Sequence, residues 1–393
     1  MKLIHTSDWH LGHTLYSYNR EDEFRDFISQ LVLIVEKEQP DGIIISGDIF
    51  DSAIPTLSAR RLWTDALIEL KAAARQMFII ATAGNHDSGS NLDVTAPLLK
   101  DDYHIIGRHT AFIRIEDKNG QGLVVCAVPF ITENGFRSRL PECLQTVNNP
   151  RKAYYEWKLE EAGKLAHAGD IIVLMAHEAV SDSLFHGQEK YSFNFAQLEN
   201  FGNGYNYLAL GHIHCPQTVY VSEERIAAYS GSPLPMSFDE DYPHSVTVIE
   251  FKDGPKAPFL RRIDIKPFRQ MLTLPEKETL KDSDVENYVR SLLENGTKGY
   301  LRLNVSSSRP LPSLQARLRN MLADTELRFC LIKYSYETES EQDTRNRVPQ
   351  ISIQDLKTID PMTLALDYYR RKTGTDMDDE MRKSLLDIIR DRD

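Results

Sequence analysis

Cysteine is scarce in this chain of 393 residues, and Cys126, Cys143, Cys215 and Cys330 lie far apart with no CxxC pair. That scatter argues against a disulfide framework and a thiolate zinc finger. Long apolar runs are missing too: none approaches the roughly 18 residues a membrane helix needs. The opening stretch carries Lys2, but His5 and Asp8 break its apolar run, so we read no secretory signal and expect a cytoplasmic protein with reduced thiols. Excess positive charge is also absent. The net charge is −12, which taken alone argues against binding nucleic acid. What remains is ordinary globular composition, 41% hydrophobic and 26% charged, long enough for about two or three domains. No repeats or long low-complexity tracts interrupt it.

Five apolar runs each end in polar residues of the kind that bind metals or move protons: "KLIHTSDWH", "DGIIISGDIFD", "MFIIATAGNHD", "DIIVLMAHE" and "YLALGHIH". Short continuous runs rich in Ile, Val and Leu read as strands buried on both faces. Helical patterns lie over Arg20 to Glu38, Leu57 to Arg75 and Lys152 to Ala168. Strands alternating with helices predict an α/β layered sheet, and ligands of such sheets bind beyond the carboxyl ends of the strands. Later runs, "GLVVCAVPF", "RIAAYSGSP" and "HSVTVIEF", predict further strands in a second sheet packed on the first.

The pattern changes near Lys266. Residues 268–337 read as strand, helix, strand, helix, strand, a small α+β domain after a first domain over 1–267. Residues 268–336 hold 11 Lys and Arg against 8 Asp and Glu, so a mildly basic module follows an acidic one. Residues 338–350, "TESEQDTRNRVPQ", read as a linker, and 351–393 as a helical segment whose last helix puts Met377, Met381, Leu385 and Ile389 on one face.

The strand-end residues are Asp8, His10, Asp48, Asn85, His86, His177, His212 and His214. Carboxylate, imidazole and amide suit borderline to hard divalent ions, and the lack of thiolate argues against structural zinc. Seven ligands are too many for one tetrahedral ion and suit two ions sharing a bridge. Asp48 is the best bridge, because Gly47 lets its loop approach two cations closely. His5, His104, His109, His167 and His244 lack such context and read as structural or surface histidines, while His13 and His186 stay open.

The motifs "DWH", "GDIFD", "GNHD", "AHE" and "GHIH" resemble the five signatures of calcineurin-like metallophosphoesterases. "HTSDWHLG", "SGDIFDSAIP", "AGNHDS", "YLALGHIH" and "YSGSPLPMSFDE" are similar to one branch, the bacterial SbcD nuclease subunits. The similarity is dense over 1–250 and rests on domain order beyond. It implies a two-sheet α/β core with helices outside, a small α+β cap and a C-terminal helical segment. It also implies one metal on Asp8, His10, Asp48 and His214, and another on Asp48, Asn85, His177 and His212, with Mn2+ as the family's ion. His86 would act on the scissile phosphate, with Asp51 and Asp87 orienting its neighbours or simply capping turns. Many archaeal and eukaryotic relatives carry a histidine where this chain has Asp51.

The implied reaction is hydrolysis of DNA phosphodiesters by a two-metal-activated water, at double-strand ends and hairpins in repair and recombination. Candidate DNA contacts are Tyr16, Asn19, Arg20, Arg302, Arg309, Arg317 and Arg319, each otherwise an ordinary solvated side chain. The implied partners are an SMC-like ATPase of the SbcC type, bound by the C-terminal helices, and a second copy of this chain. Dimerisation would run through helices near 57–75 and 90–100, where Leu62, Trp63, Ala66, Leu67 and Leu70 form an apolar stripe. The alternatives are a small-substrate phosphoesterase and a non-enzymatic scaffold. Protein-phosphatase relatives carry arginine after GDxxD and read GNHE, whereas this chain has Ser52 and Asp87 there; scaffolds usually lose ligands, and none is missing.

Overall fold

The computed structural model describes residues 1–95, 102–181, 183–185, 195–307 and 312–335, and beyond these only 366, 369, 370, 377, 381 and 382. The chain divides into two compact units, Met1–Leu272 and Thr273–Asp393.

In the first unit the elements run β1 (Lys2–Thr6), β2 (Thr14–Leu15), β3 (Tyr18–Asn19), α1 (Glu21–Glu38), β4 (Gly42–Ser46), α2 (Leu57–Ala73), β5 (Phe78–Thr82), α3 (Gly89–Thr95) and β6 (Tyr103–Ile106). They continue with β7 (Ala111–Glu116), β8 (Gly122–Ala127), α4 (Glu133–Arg139), α5 (Pro150–Leu165), β9 (Ile171–His177), β10 (Tyr207–Gly211), β11 (Gln217–Val221), β12 (Ile226–Tyr229), β13 (Ser245–Glu250) and β14 (Phe259–Asp264). Two six-stranded sheets result, ordered β14-β13-β1-β4-β5-β6 and β11-β12-β10-β9-β8-β7. Strands β1-β4-β5-β6 and β8-β9-β10-β12 run parallel; β13, antiparallel to β1, and β14, antiparallel to β13, extend the first group on one side, and antiparallel β11 and β7 flank the second.

Alternation along each strand builds three apolar layers. Leu3, Ile44, Ile80, Val125, Val173 and Ala209 meet between the sheets. Ile4, Ile43, Ile45 and Ile79 face the other way, against Phe24, Phe27 and Leu31 of α1 and Leu62, Trp63, Ala66, Leu67 and Leu70 of α2. Val124, Leu174, Leu208 and Leu210 pack on Phe136, Tyr154, Tyr155 and Leu159 of α4 and α5. A central strand buried on both faces has no polar face to show, which explains the continuous runs in the sequence. The α2 stripe expected at a dimer surface is therefore consumed by packing on its own sheet. The apolar side chains left exposed nearby are Ile54, Leu57 and Ile68.

Local chemistry fixes the helix ends. Thr56 Oγ1 accepts from the Ala59 backbone N–H and starts α2, and Asn149 caps α5 with Pro150 in its first turn. Glu21, Asp22 and Glu23 complement the positive end of α1, which closes on Gln39 in the left-handed conformation.

β15 (Met271–Leu274) spans the boundary at Leu272, and the second unit contains β16 (Leu280–Lys281), α6 (Val285–Glu294), β17 (Gly299–Ser306), α7 (Pro312–Leu322) and β18 (Leu327–Ser335). β17 pairs with β15 and runs parallel to β16 and β18. Two-residue β16 carries too little sequence to show a period, and it was not expected. His186, Arg309, the expected linker over 338–350 and nearly all of the expected helices over 351–393 lie outside the described residues. Among the described residues no helix is long and apolar enough to cross a membrane.

Candidate metal and active site

The site sits where five strands stop. After β1 the backbone turns left-handed at Asp8 (φ 53°) and His10 (φ 48°), and after β4 at Asp48 (φ 49°). These loops are laced together: Asp8 N donates to Gly47 O at 3.0 Å, His10 N to Asp48 O at 3.0 Å and Leu11 N to Ile49 O at 2.9 Å. Trp9, fully buried between the two polar residues, meets Phe27 and Trp63 edge to face and donates to Thr6 Oγ1 at 3.0 Å. The indole anchors the turn. Gly47 is required twice: its φ is +88°, and a Cβ there would lie 2.2 Å from His177 Nδ1. A Cβ on Gly211, at the end of β10, would lie 1.8 Å from Ser46 O, so the two sheets converge here.

Asp48 lies at the centre. Its Oδ2 is 3.6 Å from His10 Nε2 and 3.3 Å from His177 Nε2, and its Oδ1 accepts from His86 N at 2.8 Å. Asn85 Oδ1 reaches His177 Nε2 at 2.9 Å and His212 Nδ1 at 2.8 Å, while His212 N donates to Asp8 Oδ1 at 3.0 Å. Donor atoms of Asp8, His10 and His214, of Asp8, Asp48 and His177, and of His10, Asp48 and His86 each cluster within 4.8 Å. All eight strand-end side chains thus belong to one site.

This donor set fits divalent cations. Three other acids of the unit with buried side chains face Lys or Arg: Glu23 faces Arg20, Glu38 faces Lys2 and Arg261, and Asp170 faces Arg114. Asp8 and Asp48, both buried, are surrounded by imidazoles instead. His10 Nε2 is buried with no hydrogen-bond partner. Burial pushes the Asp8 carboxyl up, against the pull of His177 and His214. Burial would raise Asp48 too, but His177, His10 and His86 together outweigh it and hold that carboxyl well below the usual range. In return, against burial, Asp48 lifts His177 to about 9. Oxygen and imidazole donors without thiolate suit ions such as Mn2+.

The surrounding residues separate by contact. Asp87 accepts from Ile49 N, Phe50 N and Gly84 N at 2.8–3.0 Å, tying the loops after β4 and β5 together. Asp51 Oδ1 stands 3.4 Å from His10 Nδ1, and its carbonyl pairs with His86 Nδ1 at 3.0 Å. His86 is exposed at the mouth. His13, open in the sequence, contacts Arg20 Nη1 at 3.2 Å. His5 is buried between Tyr207 and Ser46, and His244 is buried beside Ser232.

One expected DNA contact needs correction. Arg20 is 1% exposed; it binds Glu23 at 2.9 Å and donates to Pro235 O at 2.8 Å, so its charge is spent inside the fold. Asn19 stays exposed before α1, its Oδ1 accepting from Glu21 N at 2.7 Å. Tyr16 stays exposed at the hairpin tip, its ring 5.9 Å from Phe238. In the second unit Arg302 Nε donates to Thr273 Oγ1, Arg317 pairs with Glu286, and Arg319 is exposed. Glu240 was missed. Its Oε1 is 3.1 Å from His214 Nδ1, but it lies in a loop, not at a strand end, so the pattern that found the donors passes over it.

The chain belongs to the calcineurin-like phosphoesterase family, whose sequence model matches residues 1–216. A second family, described as the type 5 capsule protein repressor C-terminal domain, matches residues 263–373. The chain is 28% identical to the SbcD subunit of the SbcCD nuclease of Bacillus subtilis (strain 168), across 99% of this chain and 97% of that protein. It is 25% identical to the SbcD subunit of the SbcCD nuclease of Escherichia coli (strain K12), across 98% of this chain and 96% of that one.

Proposed function

We propose that the chain is the nuclease subunit of an SbcCD-type complex and hydrolyses DNA phosphodiesters with two divalent ions, Mn2+ being the ion of choice. The observation that carries this reading is Asp48 Oδ2 set between His10 Nε2 and His177 Nε2, in a chain matching nearly the full length of the SbcD subunits of SbcCD nucleases. Asp8, His10, Asp48 and His214 would hold one ion; Asp48, Asn85, His177 and His212 the other. When bound, such ions supply positive charge to the phosphate oxygens and acidity to a water.

The chain's own residues do the rest. The Asp51 carbonyl makes His86 Nδ1 the donor and leaves Nε2 for the phosphate. Protonated, that imidazole can give a proton to the leaving oxygen. Asp51 also stands behind His10, so one residue orients two imidazoles. Asp87 keeps the two loops in register through three backbone N–H groups. No side-chain nucleophile is needed. Phosphate contacts from Arg302, Arg317 and Arg319 would position the duplex without reading its sequence.

The partners follow from the same reading: an SbcC-type ATPase held by the C-terminal segment, and a second copy of this chain meeting it through Ile54, Leu57, Ile68 and Val94, which are 61–85% exposed. The complex would work in the cytoplasm. The test compares Mn2+-dependent cleavage of linear duplex DNA, a generic phosphodiester and a phosphopeptide, with and without the ATPase and ATP. Preferred cleavage of DNA, with ATP-dependent cutting of duplex ends in the complex, is expected. A preference for the phosphopeptide, or no cleavage of any substrate with both ions bound, overturns the reading.

A further inference from the structure

The four imidazoles deepest in the site are braced in different ways. His177 Nδ1 rests on the Ser46 carbonyl at 2.8 Å, an atom of the first sheet itself. His10 Nδ1 faces Asp51, and His212 Nδ1 faces Asn85. His214 Nδ1 instead meets a carboxylate from far along the chain, Glu240 Oε1. The Glu240 side chain is 6% exposed, so a long acidic residue has been buried for this contact.

Its loop is pinned on every side. Ser232 N donates to His214 O at 3.0 Å, and a Cβ on Gly231 would lie 2.4 Å from that same carbonyl. Glu240 Oε2 accepts from Met236 N at 2.9 Å and faces His244 Nε2 at 3.9 Å. Arg20 holds the neighbouring Pro235 carbonyl. The loop over 231–244 therefore closes on His214 from both its backbone and its ring.

We infer that Glu240 is a positioning residue for the metal centre: by accepting a hydrogen bond from His214 Nδ1–H it fixes the tautomer whose Nε2 lone pair can bind a cation. A carboxylate behind a ligating imidazole also raises its basicity and sets its ring plane. The inference rests on the proposed role of His214 as a ligand. It assigns Glu240 no contact with substrate.

The test measures Mn2+ binding to the full-length protein by equilibrium titration for the wild type, Glu240→Ala, Glu240→Gln, His214→Ala and the Glu240→Ala/His214→Ala double variant. Histidine 15N NMR of the metal-free proteins reads the His214 tautomer. Two ions on the wild type are required first; if they fail to bind, the reading of the site itself falls. Given two ions, Glu240→Ala should weaken one of them roughly 10- to 100-fold and mix the His214 tautomers. Glu240→Gln, which keeps an oxygen facing Nδ1, should recover the tautomer and part of the affinity. The double variant should bind no worse than His214→Ala alone, because the two residues act as a unit. A Glu240→Ala protein that melts lower but binds both ions at wild-type affinity overturns the inference. So does an additive loss in the double variant. Should the alanine variant fail to fold, Glu240→Gln decides: a partial loss of affinity for one ion that disappears in the His214→Ala background supports the positioning role, and wild-type affinity for both ions overturns it.

Discussion

The layer between the sheets and the strand ends above it are made by the same strands, yet they obey opposite rules. Within the layer Leu3, Ile44, Ile80, Val173 and Ala209 are fully buried, apolar and regular. Just past the strand ends, Asp8, His10, Asp48 and His212 all hold positive φ without being glycine, and two of them are buried acids. Each such backbone costs on the order of 1–3 kcal/mol. The difference teaches that the apolar layer stabilises the fold and that the fold then holds a site which opposes it. The two should break separately.

The sharpest break is at Asp48. Asp48→Asn keeps the shape and tolerates the left-handed backbone, but removes the negative charge that two cations would share in the proposed site. We expect bound metal to fall and cleavage to drop about a thousandfold or more, with the metal-free protein less stable than the wild type at neutral pH because the Asp48–His177 pairing is lost. Metal analysis, nuclease assay and thermal melting check the three parts. Retention of both ions would remove the bridging role from Asp48.

His86→Ala comes next. The residue is exposed and reached by no packing that holds the layers, so the loss should be about a hundredfold or more in rate with both ions retained. The clustering of His86 with His10 and Asp48 makes this a sharp test. Loss of an ion in the variant would move His86 among the ligands.

Ile44→Ala attacks the other side of the comparison. It empties part of the inter-sheet layer within the strand that leads to Gly47, and should cost about 2–5 kcal/mol. Metal affinity of the folded fraction should not change. A variant that melts normally but binds metal poorly would mean that layer and site are not separable.

The same contrast decides what the sequence could reveal. Doubly buried strands leave continuous apolar runs, so β1, β4, β5, β9 and β10 were readable, and the polar residues that follow each run pointed to a common end of the sheets. α1, α2 and α5 showed their periods. Relations across long separations were not readable. Arg20 looks like a surface arginine beside a motif, and only the fold brings it to Pro235, 215 residues away. Glu240 meets His214 across 26 residues through a loop with no period. The hairpin of β2 and β3 turns on Tyr16 (φ 49°) and Ser17 (φ 71°) without the glycine or asparagine that would have signalled it.

The smallest effect lies at the opposite end of β1, where charge is met by charge. Glu38, at the end of α1, accepts from Lys2 Nζ at 3.2 Å and from Arg261 Nη2 at 2.8 Å. Burial alone would raise its carboxyl pKa, but these hydrogen bonds and charges outweigh burial and hold it below the usual value. A carboxylate with a lower pKa in the folded chain than in the unfolded one stabilises the fold above the unfolded value. That contribution fades as pH falls through the folded value. Glu38→Gln should therefore melt a few degrees below the wild type at neutral pH, and the gap should close on acidification below about pH 4. Melting curves of both proteins from neutral to acidic pH, each free of metal, measure it. A gap that stayed constant with pH would show that Glu38 acts through packing instead, and the contrast between a paired end and a metal-binding end of the strand would lose its electrostatic basis.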